Sequence, residues 1–483
     1  MRCVVSLFAV AVVWGASSLA AAERPNVLII LADDLGYGDV RAFHPSNPIE
    51  TPHLDRLAAE SLQLTDAHAP GSWCIPTRYS LLTGRYPIGV DVGDRGRSVI
   101  AGGETTLPAT LKAAGYRTAM FGKWHLGHTA GEPDGKPNGE RLEGGPVGRG
   151  FDSWLGIPRS LDQPPFYWIR DDRPEELPTE TIGDANSKGW SPIQGRFWRG
   201  GGLAPGFSHL DVTPRLFDEA GADVLTSDDE RPWLLYLALP SPHTPWVPTE
   251  EFAGKSAMPL YGDFLMQVDA GIGRILSALD DSGQAENTLV IVTSDNGPVW
   301  YESDTQKYGH AAAGPYRGMK GDAWEGGHRV PMLVRWPGRI EPRTSPALTC
   351  HADLLATLCG ALDLAVPESA ADSVDQSGHW LRNEPAPRDE MLQQSSRRFY
   401  SLRRGDWKYI PALGSGGFTK PSVREPENGE PAVQLYDLAS DPGERTNLAG
   451  ERPEQLAAMQ ARYAELMAGR NAQPQKTGGR RGR

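Results

Sequence analysis

Val27-Leu28-Ile29-Ile30-Leu31-Ala32-Asp33-Asp34 is the stretch on which the fold turns, because an apolar run too short for a helix stops abruptly at two carboxylates. A continuous apolar run without alternation marks a strand buried on both faces, as in a parallel sheet. Residues 233–239 and 288–293 read the same way, and the second of these ends in Ser294-Asp295-Asn296-Gly297. Helical patterns at 54–63, 107–114 and 261–279 separate the runs. The predicted class is therefore α/β, a large and mostly parallel sheet sandwiched by helices. Both acidic clusters then leave the carboxyl edge of one sheet, where such folds gather ligands. A lone Asp pair after a strand more often caps a turn. Three carboxylates and an Asn amide together form a hard, all-oxygen set suited to Ca²⁺ or Mg²⁺.

The chain has 483 residues, 39% of them hydrophobic, enough for one large domain with a smaller one attached. A formal net charge of -13 argues against enclosing nucleic acid, so an anionic substrate needs a concentrated local site. Residues 1–22 read as a secretory signal: Arg2, an apolar run over 3–14 and small residues up to Ala22. That run is too short to span a bilayer, which predicts a periplasmic or secreted protein without stable membrane insertion.

A catalytic α/β domain is expected over 23–340. Strand-like pieces at 399–402, 407–410 and 434–438 and a helix at 453–467 predict a smaller α+β unit over 341–470, and the basic, Gly-rich end, 471–483, reads as disordered. Residues 171–206, rich in Gly, Pro and charge, read as an insertion on the rim of the site. Cys3 leaves with the signal. If 351–358 is helical, Cys350 and Cys359 lie about 13 Å apart along its axis and cannot bridge. Cys74 is different, because Pro70, Gly71 and Pro76 place it in a turn.

The segment Ser72-Trp73-Cys74-Ile75-Pro76-Thr77-Arg78 contains Cys-x-Pro-x-Arg and runs on to Leu81-Leu82-Thr83-Gly84-Arg85. Here the chain resembles the type I sulfatases of the alkaline phosphatase superfamily, and Arg149-Gly150-Phe151-Asp152 with Ser160-Leu161-Asp162-Gln163-Pro164-Pro165 beyond it resembles bacterial members near the arylsulfatase and N-acetylgalactosamine-6-sulfatase branches. Further blocks resemble the family in its order: Gly122-Lys123-Trp124-His125-Leu126-Gly127, Pro242-His243-Thr244-Pro245, Arg317-Gly318-Met319-Lys320-Gly321, Trp324-Glu325-Gly326-Gly327 and the closing Asp441-Pro442-Gly443-Glu444. The chain departs from the family in Trp73 and Ile75, where small residues are usual, and in Thr77, where Ser is commonest.

The resemblance implies that Cys74 is oxidised to formylglycine by a formylglycine-generating or anaerobic sulfatase-maturating enzyme. It also implies that Asp33, Asp34, Asp295 and Asn296, with the modified Cys74, hold a metal, usually Ca²⁺ with Mg²⁺ as the alternative. Lys123, Lys320 and His243 would contact sulfate, Arg78 would steady residue 74 and His125 would serve as base, with His243 or Lys320 as acid. A sulfated carbohydrate is the expected substrate, with an aryl sulfate as the simpler option. Two rival readings are a phosphonate or phosphate-diester hydrolase of the same superfamily and a non-catalytic relative that only binds sulfated glycans.

Overall fold

The computed structural model describes residues 24–92, 97–128, 137–191, 193–226 and 230–471. The expected signal and almost all of the expected basic tail lie outside them. From its start the chain forms β1 (Asn26–Asp33), α1 (Pro52–Ala59), β2 (Leu62–His68), α2 (Cys74–Thr83), α3 (Leu107–Ala113), β3 (Arg117–Lys123) and β4 (Ser153–Ile157). Short strands β5 (Ile169–Arg170), β6 (Arg173–Pro174), β7 (Glu180–Ile182) and β8 (Gly201–Leu203) follow, then α4 (His209–Thr226), β9 (Trp233–Pro242), α5 (Tyr261–Asp281) and β10 (Thr288–Ser294). Next come α6 (Glu302–Tyr308), β11 (Arg329–Arg335), β12 (Arg343–Ser345), β13 (Thr349–Cys350), α7 (Leu354–Ala361) and α8 (Ser377–Arg382). The last elements are β14 (Glu390–Gln394), β15 (Tyr400–Arg404), β16 (Trp407–Ile410), β17 (Gln434–Asp437) and α9 (Pro453–Asn471).

Among the described residues, 11 strands form one sheet in the order β12-β2-β11-β10-β1-β9-β3-β4-β5-β6, with β13 paired to β2. Its centre is parallel: β1 pairs with β10 and β9, and β3 with β9 and β4. Every residue of β1, β9 and β10 is buried, the condition their unbroken apolar runs anticipate. β11 turns antiparallel to both β10 and β2. Helices α4 and α5 pack together over β9, while α2 packs with α3 and α7. No helix among the described residues is long and apolar enough to cross a membrane.

Two local expectations change. The helix expected at 54–63 stops at Ala59, and Leu62 begins a strand in which Leu62 and Leu64 are buried while Gln63 and Thr65 are half-buried. That alternation is a period-two signal, and pairing with β11 and β12 decides it. Cys74, expected in a turn, is instead the first residue of α2, entered from an extended Trp73. Pro76 is tolerated there because the first helical N–H groups have no partner inside the helix.

A separate antiparallel sheet, β14-β15-β16-β17, has its own small core, in which Met391, Leu402, Tyr409 and Leu435 are buried with Met459 of α9. It also reaches the site. The Ser72 N–H donates to the Gln394 carbonyl at 2.9 Å and the Gln394 N–H to that of Pro70 at 2.9 Å, so the end of β14 clamps the loop that delivers Cys74. Cys74, Cys350 and Cys359 are free and buried, in keeping with the expectation that the latter pair does not bridge.

Candidate active site

β1 and β10 are neighbours in register Ala32↔Ser294, and the Asp295 N–H donates to the Ala32 carbonyl at 3.0 Å. The two acidic clusters are thereby carried to one point on the sheet edge. Asp33, Asp34, Asp295 and Asn296 are all buried there. The Asp34 N–H donates to Asp295 Oδ1 at 3.3 Å, and Asn296 Nδ2 donates to Asp34 Oδ1 at 2.6 Å. Asp34 sits at φ 65, a left-handed conformation that a non-glycine residue keeps only where its surroundings enforce it.

Cys74 enters from the head of α2, its Sγ 3.2 Å from Asp33 Oδ1 and 3.5 Å from Lys320 Nζ. One turn on, Arg78 is buried: Nε donates to Asp295 Oδ2 at 3.0 Å, Nη1 to the Lys123 carbonyl at 2.9 Å, and Nη2 lies 3.6 Å from Asp33. The Lys123 ammonium bonds directly to Asp33, and Lys320 Nζ lies 2.6 Å from Asp34 Oδ1. His243 Nε2 lies 3.7 Å from Asp34 Oδ2, and its Nδ1 is 2.6 Å from the Thr244 carbonyl oxygen. His125, at φ 55, is buried just past β3.

Two glycines explain the quoted motifs. Gly122 lies at φ 110, and a Cβ there would come 2.0 Å from the Ala238 carbonyl oxygen, so only glycine lets β3 lie this close to β9. A Cβ on Gly297 would meet the Gly326 carbonyl oxygen at 1.9 Å, which is where the loop after β10 crosses the loop carrying Lys320.

The electrostatics follow from dense packing of opposite charges. Burial works against the charge on Asp33, but Lys123, His243 and Arg78 outweigh it and hold this carboxyl well below its usual range. Asp295 goes the other way: burial and the nearby Asp33 push it up to about 6. Burial, then Asp295 and Asp33, raise the Cys74 thiol far above its ordinary value, so it is a thiol and not a thiolate. Burial together with Lys123 and Arg78 keeps His125 neutral.

The donor set fits a hard cation. Ligand atoms of Asp33, Asp34, Cys74 and His243 lie within 4.8 Å of one another. Asp295 and Asn296 border this group through their bonds to Asp34, and Asn296 Oδ1 is a buried oxygen without a hydrogen-bond partner. Rotating that amide by half a turn would present the oxygen to an ion among the carboxylates. The expected residues are thus brought together, with His243 nearer the ligand group than the sequence suggested.

A second buried cluster was not foreseen. His68, Glu325 and His328 also offer ligand atoms within 4.8 Å of one another. Lys408 already supplies their cation, its Nζ 3.0 Å from Glu325 Oε1 and 3.1 Å from His328 Nε2, so the cluster is an ion-pair network. Glu444 joins it, accepting the Glu325 N–H at 2.6 Å and lying 2.9 Å from the Lys408 ammonium. The Trp-Glu-Gly-Gly and Asp-Pro-Gly-Glu blocks therefore meet, and they weld the small sheet beneath the loop of Lys320.

One ammonium serves two carboxylates unequally. Burial opposes ionisation of both; Lys408 and the two histidines hold Glu325 well below its usual range, while Glu444 is pushed up to about 7 by burial and Glu325. In the unfolded chain Glu444 titrates near its ordinary value of 4.5. Between these limits the folded state binds the extra proton, so this group's contribution to stability falls as pH rises through the window. Glu444→Gln, which stays neutral, is expected to remove that slope. Melting temperatures of both proteins from pH 4 to 8 check this, and a constant difference between them would contradict it.

A buried cup of three carboxylates, two lysines, an arginine and two histidines around one cysteine, at the carboxyl edge of an α/β sheet, defines a hydrolase of anionic esters. The family model described as Sulfatase matches residues 25–364. The chain is 33% identical over 470 residues to an N-acetylgalactosamine-6-O-sulfatase of Bacteroides thetaiotaomicron, covering 89% of this chain and 91% of that one. It is 35% identical over 486 residues to arylsulfatase A of Homo sapiens, covering 92% and 88%. A solved Bacteroides thetaiotaomicron structure, described for the metabolism of multiple glycosaminoglycans, superposes with a TM-score of 0.81 at 29% identity, covering 92% of this chain and all of that one. The chain belongs to the sulfatase family and is a sulfatase.

Proposed function

We propose that this sulfatase removes sulfate from a sulfated carbohydrate outside the cytoplasm, with Cys74 converted to formylglycine and a divalent ion, Ca²⁺ by the chemistry of the donors, held by Asp33, Asp34, Asp295 and Asn296. The observation that carries the reading is the position of Cys74: a sulfur 3.2 Å from a carboxylate and 3.5 Å from an ammonium. Its thiol is driven away from ionisation there, so it is a poor nucleophile until it is changed.

Hydrated to a geminal diol, the aldehyde supplies one hydroxyl to attack sulfur and a second whose deprotonation lets sulfate depart. The bound ion supplies positive charge for the sulfate oxygens and acidifies the attacking hydroxyl. Lys320 beside residue 74 and Lys123 on the neighbouring Asp33 add fixed positive charge, and Arg78 holds Asp295 in place. Neutral His125 accepts the proton of the second hydroxyl at an imidazole nitrogen. Of the two groups facing the leaving oxygen, Lys320 is bound to Asp34 and its pKa is raised well above its ordinary value, so it keeps its proton. His243, whose Nδ1 is engaged by the Thr244 carbonyl, protonates the leaving oxygen from Nε2.

Paired rates test the reading. Purified matured protein is expected to turn over p-nitrophenyl sulfate faster than bis-p-nitrophenyl phosphate, and mass spectrometry of its Cys74 peptide is expected to show aldehyde. Faster cleavage of the phosphate diester, or full activity with an unmodified thiol, overturns it.

A further inference from the structure

We propose that Asp322 is a positioning residue for Lys320: its carboxylate locks the tight turn that carries Lys320 into the site and ties that turn to Thr419 of the small C-terminal unit. The ammonium beside Cys74 is thereby placed by two parts of the fold at once. This deepens the sulfatase reading above, on which it rests, because Asp322 acts through a side chain which that reading sets against the sulfate.

The turn itself is the first reason. The Asp322 N–H donates to the Met319 carbonyl at 3.0 Å, which closes a four-residue turn with Lys320 and Gly321 at its two corners. Gly321 lies at φ 87, the conformation that the third place of a type II turn demands. Asp322 closes the same turn a second time with its side chain, Oδ2 accepting the Met319 N–H at 3.0 Å. From this doubly fastened turn the Lys320 side chain reaches Cys74 Sγ at 3.5 Å and Asp34 Oδ1 at 2.6 Å. The corners are also set against the site, the Lys320 N–H donating to the Pro298 carbonyl at 2.8 Å and the Gly321 N–H to that of Ser72 at 2.6 Å.

What else the carboxylate holds is the second reason. Oδ1 accepts the Thr419 N–H at 3.1 Å and Oδ2 the Thr419 hydroxyl at 2.5 Å. Thr419 lies in the connection from β16 to β17 and is itself fixed, since its carbonyl accepts the Ser415 hydroxyl at 2.6 Å. The Ala323 N–H donates to the Ser415 carbonyl at 2.6 Å, and the Ser396 N–H, from the turn between β14 and β15, donates to the Gly321 carbonyl at 2.9 Å. Two loops of the small sheet therefore grip the turn of Lys320, and Asp322 is the side chain through which one of them does so.

Charge supplies the third. Asp322 is buried, and among the described residues no Lys, Arg or His side chain forms an ion pair with it. Burial raises its pKa, and the hydrogen bonds from Thr419 and Met319 work in the other direction. A buried carboxylate without a cation is costly, and a tie that only joined two loops could use a neutral amide. What the carboxylate offers is acceptor oxygens on both arms, which meet the Met319 and Thr419 donors together.

A double-mutant cycle tests the assignment, by steady-state kinetics on p-nitrophenyl sulfate with rates taken per mole of Cys74 aldehyde. Asp322→Asn keeps the shape but turns one acceptor into a donor that faces donors. It is expected to lose about 10- to 100-fold in kcat/KM, the effect of moving a catalytic group by about 1 Å. KM is expected to rise as part of that loss, because Lys320 faces the sulfate oxygens, whereas a smaller folded fraction lowers kcat and leaves KM as it was. In a Lys320→Ala background the same substitution is expected to cost less than about twofold. The rise in KM decides alone where the Lys320→Ala protein is too slow to measure. Thr419→Val, which removes only the hydroxyl, is expected to show the same dependence on Lys320 at smaller size and serves if the Asn variant does not fold. Equal losses in both backgrounds, an unchanged KM, or full activity of both single variants overturns the proposal. Wild-type protein that hydrolyses no sulfate ester defeats the parent reading, and this one with it.

Discussion

Cys74→Ala is expected to lower sulfate-ester hydrolysis by at least about 10⁴-fold, because it deletes the atom that becomes the nucleophile while leaving the cup around it intact. The fold is expected to survive, since removing one sulfur from the head of α2 costs on the order of 1–2 kcal/mol. Cys74→Ser is the sharper experiment. Its hydroxyl occupies the same place beside Asp33 and Lys320 but has no second hydroxyl to drive sulfate out. The serine is therefore expected to accumulate as its sulfate ester, detectable by mass in the intact variant after incubation with substrate. Multiple turnovers by the Ser variant, or more than about a tenth of wild-type activity in the Ala variant, would sink the nucleophile assignment.

Arg78→Met carries the second large effect. The guanidinium is buried between Asp295, Asp33 and the Lys123 carbonyl, and its removal leaves two carboxylates short of positive charge in the interior. Breaking such a buried pair by deleting one partner costs about 3–5 kcal/mol. If the same carboxylates hold a divalent ion, added Ca²⁺ should raise the melting temperature of the wild type and raise that of the variant further, because the ion then supplies charge that arginine no longer does. Chelator-treated protein titrated with Ca²⁺ and followed by thermal unfolding measures both. Equal stability of variant and wild type, together with no response of either to Ca²⁺, would remove the metal from the site.

The elements most legible in the sequence are those buried on both faces. β1, β9 and β10 announce themselves as unbroken apolar runs because a parallel sheet covered by helices exposes neither face to water. β2 was less legible: its first two residues extend a helical pattern, and only pairing with β11 and β12 selects the extended form. β11 hides for another reason, since Pro331 interrupts Arg329–Arg335 and a proline within such a run argues against a strand. In the site, the grouping of Asp33 and Asp34 with Asp295 and Asn296 was legible, because adjacent parallel strands must deliver their carboxyl ends to one edge.

The sequence alone determined the class of fold, the edge at which ligands collect and, through the resemblance carried by its motifs, the side chains that gather around Cys74. Tertiary structure alone decided that Cys74 heads a helix, that His243 stands within the ligand group, and that Glu325 and Glu444, 119 residues apart, share one ammonium. Periodicity records which side of an element is buried, a local property of neighbouring residues. Distances between remote side chains are set by how whole layers pack, and no stretch of sequence read by itself contains them.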